Sequence, residues 1–422
     1  MKLVLASYGT RGDIEPSVAL GRELLRRGHD VRMAVPPDLV GFAESAGLAA
    51  VSYGVDTQAP LGVYRDFWTG FFRKPWRIPD LIRLWRKARE LATRCWEEAS
   101  ITLTALADGA DLLFTGLVFE QPAANVAEYY DMPLATLHYY PKRVNGQLLP
   151  FLPAPLNRAV ARASEWLIWR ASKRLEDAQR RELDLPKATG PAARRISQRR
   201  SLEIQAYDEL CFPGLAAEWA GWNGRRPFVG ALTVELPTDA DEEVLSWIAA
   251  GTPPIFFGFG SIPFEYPADM IVMISAVCEE LGERALVCAA GADLGDVPRT
   301  EHVKVVDAVN YAAVFPACRA IVHHGGAGTT AAALRAGVPQ LIRWMAADQP
   351  YWAAAVKRLK VGRARRFSST TRRSLIADLR RILAPQYSAR AREIAGQLSK
   401  PAESVATAAD LVENFVRLKQ VR

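Results

Sequence analysis

The chain has 422 residues, of which 50% are hydrophobic and 23% charged, a composition typical of soluble globular proteins. This length is long for one hydrophobic core and suits two α/β domains of about 200 residues each. The five cysteines include no CxxC pair, which argues against a disulfide framework or a zinc site. Because no apolar run reaches the ~18 residues of a membrane span, and the start turns polar too soon for a signal peptide, we expect a cytoplasmic protein.

The N-terminus has the pattern of one βαβ unit. An apolar strand at residues 3–6 is followed by a polar turn, a helix pattern from about Pro16 to Arg27 and a second strand at residues 31–35. Asp13 therefore falls in the loop above the carboxyl edge of the predicted sheet. The pattern leaves open whether Asp13 is a reactive carboxylate or a helix cap.

Two stretches of the first half mix basic with aromatic residues. Residues 64–90 include Arg73, Lys74 and Arg77, and residues 158–200 repeat the theme around Trp166. Such segments suit an anionic membrane surface or a lipid. The alternative is that they are solvated helix faces whose aromatic side chains line a cleft. No recognised nucleic-acid motif is present, so we expect no nucleic-acid partner.

The chain divides near its middle. Strand patterns at residues 111–115 and 132–137 complete the first half, and a turn-rich break follows at residues 221–227. We therefore place a first domain at 1–227 and a linker at 228–241. A new strand at residues 254–259, followed by Gly260 and Ser261, opens the second domain at 242–400.

The second half contains a glycine-rich turn between a strand and a helix. The strand covers residues 320–322, the turn runs from His323 to Thr330, and the helix pattern extends from Thr330 to Ala336. Backbone N–H groups in such a turn can approach a phosphate closely, and the positive helix end adds attraction. An imidazole can donate one more hydrogen bond to a phosphate oxygen. The alternative is a tight turn with a buried histidine.

A second loop closes the same region. A short strand at residues 340–343 is followed by Asp348 and Gln349, just before a helix that Pro350 can start. In open α/β sheets ligands bind at this edge, where the pair would offer acceptors and donors to sugar hydroxyls. Alone, the pair could equally be a helix N-cap. A last helix pattern covers residues 402–421.

Together these motifs identify a family resemblance over nearly the whole chain. The stretches 7–16 and 307–349 resemble the signatures of nucleotide-sugar-dependent glycosyltransferases with the GT-B fold. The branch that the chain resembles most is bacterial and includes vancomycin-group antibiotic and mycobacterial glycolipid enzymes. The resemblance implies an α/β protein with two doubly wound, Rossmann-like domains that face a cleft. It also implies a C-terminal helix, residues 401–422, that crosses back to the N-terminal domain.

The resemblance implies roles for individual residues as well. Asp13 would be the general base that deprotonates the acceptor hydroxyl, a step that needs a base within hydrogen-bond reach. His138, in a loop of the same domain, is the next candidate for that role, with a structural role as its alternative. Contacts to the donor would come from Thr10, Arg11, Ser261, Val309, His324, Gly325, Gly326, Ala327, Gly328, Thr329, Asp348 and Gln349.

The implied reaction is inverting transfer of a sugar, for example a deoxysugar such as rhamnose, from a dTDP- or UDP-sugar. The acceptor would be a hydroxyl of a lipid or another natural product, and neither a metal nor a cofactor is expected. Residues 305–310 lack the aromatic that many relatives stack on the nucleotide base, which leaves the base of the donor open. Asp239 and Asp241 form the DxD pattern of metal-dependent glycosyltransferases, but we expect them to cap the following helix.

Three questions stay open on the sequence alone. The fold is shared by nucleotide-sugar epimerases, and a non-catalytic protein of the membrane surface could also retain it. The segment 64–90 would either contact the inner face of the membrane peripherally or line the acceptor cleft. The oligomeric state is also open.

Overall fold

The computed structural model describes residues 1–58, 60, 62–63, 78–148, 152–260, 267–289 and 300–420. The chain forms two compact units, which we call the first unit (Met1–Val234 with Pro401–Arg422) and the second unit (Glu235–Lys400). The division falls inside the stretch 228–241, which the sequence predicts as a linker.

The first unit is built on a six-stranded parallel sheet. Its strands are β1 (Lys2–Ala6), β2 (Asp30–Val35), β3 (Ala49–Ser52), β4 (Leu112–Thr115), β5 (Leu134–His138) and β6 (Leu202–Gln205). Their order across the sheet is β3-β2-β1-β4-β5-β6. The strands β4 and β5 are buried at every position, as expected when helices cover both faces of a parallel sheet.

Helices flank this sheet. They are α1 (Arg11–Arg26), α2 (Val40–Ser45), α3 (Ile78–Ala107), α4 (Glu120–Tyr129), α5 (Ala154–Glu182), α6 (Ala192–Gln198) and α7 (Leu215–Trp219). Helix α1 begins at Arg11 and not at Pro16, where the hydrophobic pattern begins. The earlier start follows from capping, because the Asp13 carboxylate accepts a hydrogen bond from the Thr10 backbone N–H.

The second unit repeats the same architecture. Its strands are β7 (Ile255–Gly258), β8 (Ala285–Cys288), β9 (Val303–Val306), β10 (Ala320–His323), β11 (Gln340–Trp344) and β12 (Gly362–Arg366). The helices are α8 (Asp241–Ala249), α9 (Pro267–Leu281), α10 (Tyr311–Val314), α11 (Ala327–Arg335), α12 (Gln349–Leu359), α13 (Arg372–Ile382) and α14 (Pro385–Ala395).

Both sheets have the strand order of doubly wound folds. The order in the second unit, β12-β11-β10-β7-β8-β9, reproduces that of the first when each unit is numbered from its own first strand. This 3-2-1-4-5-6 order reverses beside the first strand, and ligands bind at the carboxyl ends of the strands there. The prediction of two doubly wound α/β domains is therefore confirmed, and it directs attention to the loops that follow β1, β7 and β10.

The two longest helices among the described residues, α3 with 30 residues and α5 with 29, carry exposed apolar side chains. Ile82 and Trp85 of α3 are exposed, as are the three consecutive residues 166–168 of α5. In the part of the chain that the structure describes, no helix is both long and apolar enough to cross a membrane.

A C-terminal helix, α15 (Pro401–Gln420), packs on α1 of the first unit. Its buried side chains, which include Ala408 and Val412, join the cluster that contains Leu20 of α1. Polar contacts surround this core: Arg27 Nη1 lies 2.6 Å from Asp410 Oδ1. The C-terminal helix therefore completes the hydrophobic core of the first unit.

We expect Val412→Ala to lower the free energy of unfolding by ~1–2 kcal/mol, because it removes buried methyl groups from the contact with α1. Leu418→Ala is the matched control, since Leu418 lies on the same helix and is 69% exposed. The control should change stability by less than ~0.5 kcal/mol. Urea unfolding of both variants is the measurement, and equal losses would contradict this packing role.

Candidate active site

Asp13 lies at the carboxyl edge of the first sheet, in the first turn of α1. Its Oδ2 accepts a hydrogen bond from the Thr10 backbone N–H at 2.6 Å and another from Thr10 Oγ1 at 3.0 Å. Asp13 is therefore part of the helix cap. The sequence left capping and reactivity as alternatives, but capping occupies only one of the two carboxylate oxygens.

Gly9 makes room for this carboxylate. Its φ is +132°, in the region that favours glycine. A Cβ at Gly9 would overlap the Oδ2 and Cγ atoms of Asp13. The Asp13 carboxylate therefore occupies the space that a side chain at position 9 would fill.

The second oxygen of Asp13 contacts a residue that sequence reasoning missed. Tyr139, the residue after β5, donates its hydroxyl hydrogen to Asp13 Oδ1. Burial raises the pKa of Asp13 above its usual range, and the hydrogen bonds from Tyr139 and Thr10 oppose that rise. The position of Tyr139 could have indicated this contact, because the residue follows the carboxyl end of a predicted strand in the same sheet as Asp13.

His138, the second candidate for the base, is fully buried and has both ring nitrogens engaged. The Gln205 amide donates to His138 Nδ1 at 3.2 Å, so Nε2 carries the hydrogen and donates to Glu120 Oε1 at 2.7 Å. Burial lowers the pKa of His138. Of the two roles that the sequence leaves open for His138, the structure supports the structural one and not that of the base.

His138 belongs to a buried polar cluster that we call the Arg143 cluster. Its members are Glu120, His138, Arg143, Glu203 and Arg226. Arg143 donates two hydrogen bonds of 2.9 Å to Glu120 and one to Glu203. Burial alone would raise the pKa of Glu120, but Arg143 and Lys142 hold it well below its usual range. The cluster joins the end of β5, through His138, and Glu203 of β6 to the start of α4.

Aromatic side chains from distant parts of the chain gather beside the Asp13 loop. The Tyr8 and Phe119 rings lie 4.9 Å apart, and Tyr53 and Trp96 pack edge-on against Phe119 at 6.0 and 6.1 Å. The sequence predicts, as one alternative, that residues 64–90 supply an aromatic wall. Of that segment, residues 64–77 lie outside the described residues.

Thr10 and Arg11, predicted to contact the donor, both make contacts within the first unit. Thr10 Oγ1 donates to Asp13. The Arg11 guanidinium is exposed, lies 4.8 Å from the centre of the Phe42 ring and is 3.9 Å from the Glu15 carboxylate. Their roles toward a donor stay predictions.

The glycine-rich turn of the second unit follows β10. Helix α11 begins at Ala327, earlier than the predicted start at Thr330, because Gly326 already adopts the extended N-cap conformation. The Thr330 backbone N–H and hydroxyl both donate to Gly326 O. Ala327, Gly328 and Thr329 therefore form the first helical turn, where backbone N–H groups lack intrahelical partners. A helix N-terminus with free N–H groups binds an anion better than an irregular loop would.

The two adjacent histidines have different environments. His323 is fully buried, accepts from the Gly325 N–H at 3.1 Å and contacts Gln340 Oε1 at 2.9 Å, so it shapes the turn. The His324 ring lies between Gly260 and Gly326, where a Cβ would come within 2.8 and 2.5 Å of it. Burial lowers the pKa of His324 to about 4, although a hydrogen bond to the Gly258 backbone opposes that shift, so the ring is neutral at pH 7. Its buried Nδ1 has no hydrogen-bond partner among the described residues.

The loop after β11 packs against this turn. Gly325 has a φ of +94°, and a Cβ there would meet Ile342 Cγ2 at 2.7 Å and Gln349 Cβ at 3.5 Å. Asp348 lies at the start of α12 and is partly exposed. Gln349 is buried, and its Oε1 accepts from the Met345 N–H at 2.7 Å. The structure therefore brings the two predicted donor loops together, with the side-chain oxygen of Gln349 used to shape its own loop.

The remaining predicted positions lie in the second unit or outside the described residues. Ser261 lies outside them. Val309 is buried in the core of the second unit, and Asn310 caps α10 by accepting from the Ala312 N–H at 3.0 Å. Asp241 of the DxD pattern accepts from the Thr238 N–H, the Thr238 hydroxyl and the Asn310 N–H. Its carboxylate thus joins the start of α8 to the loop after β9.

Comparisons with known proteins agree with this architecture. Residues 3–109 match the model of the glycosyltransferase family 28 N-terminal domain. Residues 280–417 match that of the erythromycin biosynthesis protein CIII-like C-terminal domain. The first match lies in the first unit, and the second covers most of the second unit.

Relatives span the chain almost from end to end. An uncharacterized glycosyltransferase of Mycobacterium leprae is 61% identical, over 98% of this chain and 97% of its own. The vancomycin aglycone glucosyltransferase of Amycolatopsis orientalis is 29% identical, over 96% of each chain. A sterol 3-beta-glucosyltransferase of Arabidopsis thaliana is 27% identical, over 97% of this chain and 67% of its own.

Solved structures share the fold at low identity. The kitacinnamycin glycosyltransferase superposes with a TM-score of 0.71 at 19% identity, over 98% of this chain and 99% of its own. The glycosyltransferase VinC in complex with dTDP superposes with a TM-score of 0.63 at 20% identity, over 100% of both chains. The spinosyn rhamnosyltransferase SpnG, complexed with spinosyn aglycone, superposes with a TM-score of 0.63 at 17% identity, over 97% of this chain and 100% of its own. With a 61% identical relative along nearly its whole length, the chain belongs to the glycosyltransferases, and it has their GT-B fold.

Proposed function

We propose that this enzyme transfers a sugar, with inversion, from a nucleoside diphosphate to an acceptor hydroxyl, and that Asp13 is the general base. The acceptor oxygen forms a bond to the anomeric carbon from the face opposite the diphosphate. The bond from that carbon to the diphosphate oxygen breaks, and its electron pair leaves with the nucleotide. The acceptor proton passes to Asp13.

The position of Asp13 is the observation that carries this proposal. The carboxylate stands at the switch point of the first sheet, beside the aromatic group of Tyr8 and Phe119. Its elevated pKa, caused by burial, makes it a better proton acceptor than a solvated carboxylate, as general bases require. An epimerase would need acid and base groups around the donor sugar, whereas two relatives are named as glucosyltransferases.

The proposed donor site is the N-terminus of α11. Neutral His324 and the N–H groups of the first helical turn would bind the diphosphate oxygens and stabilise the charge of the leaving group. Ser261, Thr10 and Arg11 are proposed as further diphosphate contacts. Asp348 and the amide of Gln349 would bind sugar hydroxyls. This scheme uses helix and side-chain donors in place of a metal ion.

The identity of the donor is proposed at the level of class. Base recognition near Val309 would rest on backbone groups and apolar walls, which suits thymine or uracil. A structural neighbour binds dTDP and another is a rhamnosyltransferase. We therefore propose a dTDP- or UDP-sugar, with dTDP-rhamnose as the first donor to assay.

The proposed acceptor is lipidic, such as a glycopeptidolipid or phenolic glycolipid, with a soluble natural product as the second choice. The partly exposed Tyr8 and Phe119 rings would pack against an apolar acceptor, and one relative is named a sterol glucosyltransferase. Incubation of lipid extracts with candidate donors, followed by mass spectrometry, tests this proposal. A product one sugar heavier supports it, whereas donor turnover with no lipid product in any extract would favour the soluble acceptor.

For lipid acceptors we propose a cytoplasmic enzyme that contacts the inner face of the membrane. The charges near the exposed apolar residues favour binding to an anionic membrane surface. Leu167 and Ile168 of α5 are exposed, and the nearby Arg170 and Arg174 are exposed as well. Trp85 of α3, from the segment 64–90, is also exposed. Arg73, Lys74 and Arg77 of that segment lie outside the described residues.

Asp13→Asn should reduce turnover by ~10²–10⁴-fold, because the amide keeps the shape but cannot accept the proton. In the wild type, activity should fall as the pH drops through the raised pKa of Asp13, since only the ionised carboxylate is a base. The variant should lose this acid limb and still bind donor. Steady-state kinetics across pH are the measurement, and turnover within a few-fold of wild type would exclude Asp13 as the base.

His324→Ala should weaken binding of dTDP or UDP by about 10- to 150-fold, the value of a hydrogen bond to a charged group. Because the pKa of His324 is about 4, binding should not depend on His324 ionisation between about pH 6 and 8. Calorimetry with the nucleotides is the measurement. His302→Ala is the control, since His302 precedes β9 at the edge of the same sheet. If His324→Ala binds the nucleotides as tightly as the His302→Ala control does, His324 does not contact the diphosphate.

Binding to vesicles should rise with the fraction of anionic lipid and fall with added salt. Replacing Leu167 and Ile168 by Ser should reduce it, because these side chains would enter the interface. Val272→Ser, at an exposed position of the second unit, is the control. Cosedimentation is the measurement, and equal binding to neutral and anionic vesicles would contradict membrane contact.

A further inference from the structure

The hydrogen bonds around Asp13 leave a single direction for an incoming proton. Each carboxylate oxygen can accept about two hydrogen bonds. Among the described residues, Oδ2 already accepts two, from the Thr10 N–H and the Thr10 hydroxyl, and Oδ1 accepts one, from the Tyr139 hydroxyl. The acceptor hydroxyl would therefore deliver its proton to Oδ1, on the side that the Tyr139 hydroxyl leaves open.

Tyr139 is held firmly enough to define that side. It directly follows His138, whose backbone carbonyl accepts from the Ala206 N–H at 2.7 Å. The side chain of His138 is anchored in the buried Arg143 cluster by Glu120 and Gln205. Tyr139 therefore has its backbone fixed by β5 and β6, which are adjacent strands of the sheet.

Charged and titratable groups around the Asp13 turn come from three described elements: α1, the loop after β5, and the loop after β1, where the Tyr8 hydroxyl donates to Val55 O. Arg11 and Glu15 lie on α1 with Asp13, and Tyr139 comes from the loop after β5. Arg11 packs on the Phe42 ring, and Glu15 accepts from the Val234 N–H at 3.2 Å. Within the described part of the chain, only Tyr139 brings a titratable side chain from another element into hydrogen-bond contact with Asp13.

We infer that Tyr139 is a positioning residue for the transfer reaction, which orients Asp13 Oδ1 toward the acceptor hydroxyl through its own hydroxyl. The inference rests on the proposed role of Asp13 as the base. In the ground state the Tyr139 O–H donates to the carboxylate. When the acceptor proton arrives on Oδ1, that oxygen still keeps one lone pair for Tyr139, so the tyrosine bond holds the carboxyl group in place throughout the step.

A second consequence concerns basicity. A hydrogen bond from Tyr139 favours the charged form of Asp13, whereas burial disfavours it. Tyr139 therefore moderates the rise in the pKa of Asp13 and keeps the base ionised at lower pH. Loss of the hydroxyl should free the carboxylate to reorient and should also raise its pKa further.

Tyr139→Phe tests this inference because it removes only the hydroxyl. We expect the carboxyl titration of Asp13, followed by ¹³C NMR and assigned by its absence in Asp13→Asn, to move to higher pH by about one unit. With the acceptor from the lipid assay, the acid limb should move the same way and kcat should fall about tenfold, with donor KM unchanged. Tyr130→Phe, which removes a tyrosine hydroxyl bonded to Thr104 O, is the control and should change neither.

The double variant separates this inference from the proposed function. If Tyr139 acts through Asp13, then Asp13→Asn with Tyr139→Phe should be no slower than Asp13→Asn alone. An unchanged NMR midpoint in folded Tyr139→Phe would overturn the inference and leave the base intact. A multiplicative loss in the double variant would also overturn it, because Tyr139 would then act independently. Wild-type turnover in Asp13→Asn would overturn both the base and the role of Tyr139.

Discussion

The turn between β1 and α1 depends on one carboxylate. Asp13 closes the N-terminus of α1 through Thr10, covers the bare backbone of Gly9 and receives the hydroxyl of Tyr139. Because the same group caps a helix and accepts from Tyr139, the helix cap holds its Oδ2 atom and the Tyr139 hydroxyl holds its Oδ1 atom. A carboxylate that is built into a helix cap is preorganised, which is what the proposed role of Asp13 as the base requires.

The two units share one strand order, and the proposed function assigns different chemistry to each. In the first unit, the switch point carries a carboxylate whose burial raises its pKa, as a proton acceptor requires. In the second, the switch point carries a helix N-terminus and His324, which burial keeps neutral at pH 7. Hydrogen-bond donors of this kind suit a diphosphate. The difference lies in the loops, since each sheet presents the carboxyl ends of its strands at its own switch point.

Buried charge supports the first site indirectly. The Arg143 cluster pairs each of its carboxylates with at least one guanidinium in the interior. Breaking such a set leaves an uncompensated charge, which is strongly destabilising. The cluster therefore fixes His138 at the end of β5 against Glu203 of β6. Tyr139, which contacts Asp13, is the residue that follows His138.

The sequence by itself indicated two α/β domains through its length and its alternation of apolar strands and helices, and the family resemblance of its motifs implied that each is doubly wound. It also located Asp13 and the turn at residues 323–330, since glycine patterns and loop residues act locally. It misplaced the starts of α1 and α11, where Asp13 and Gly326 cap the helices earlier than the hydrophobic pattern suggests. The contacts of Tyr139 and Phe119 and the burial of His138 were decided only by the tertiary structure. Parallel strands bring together loops that are far apart in the chain, and no local pattern records which loop faces which.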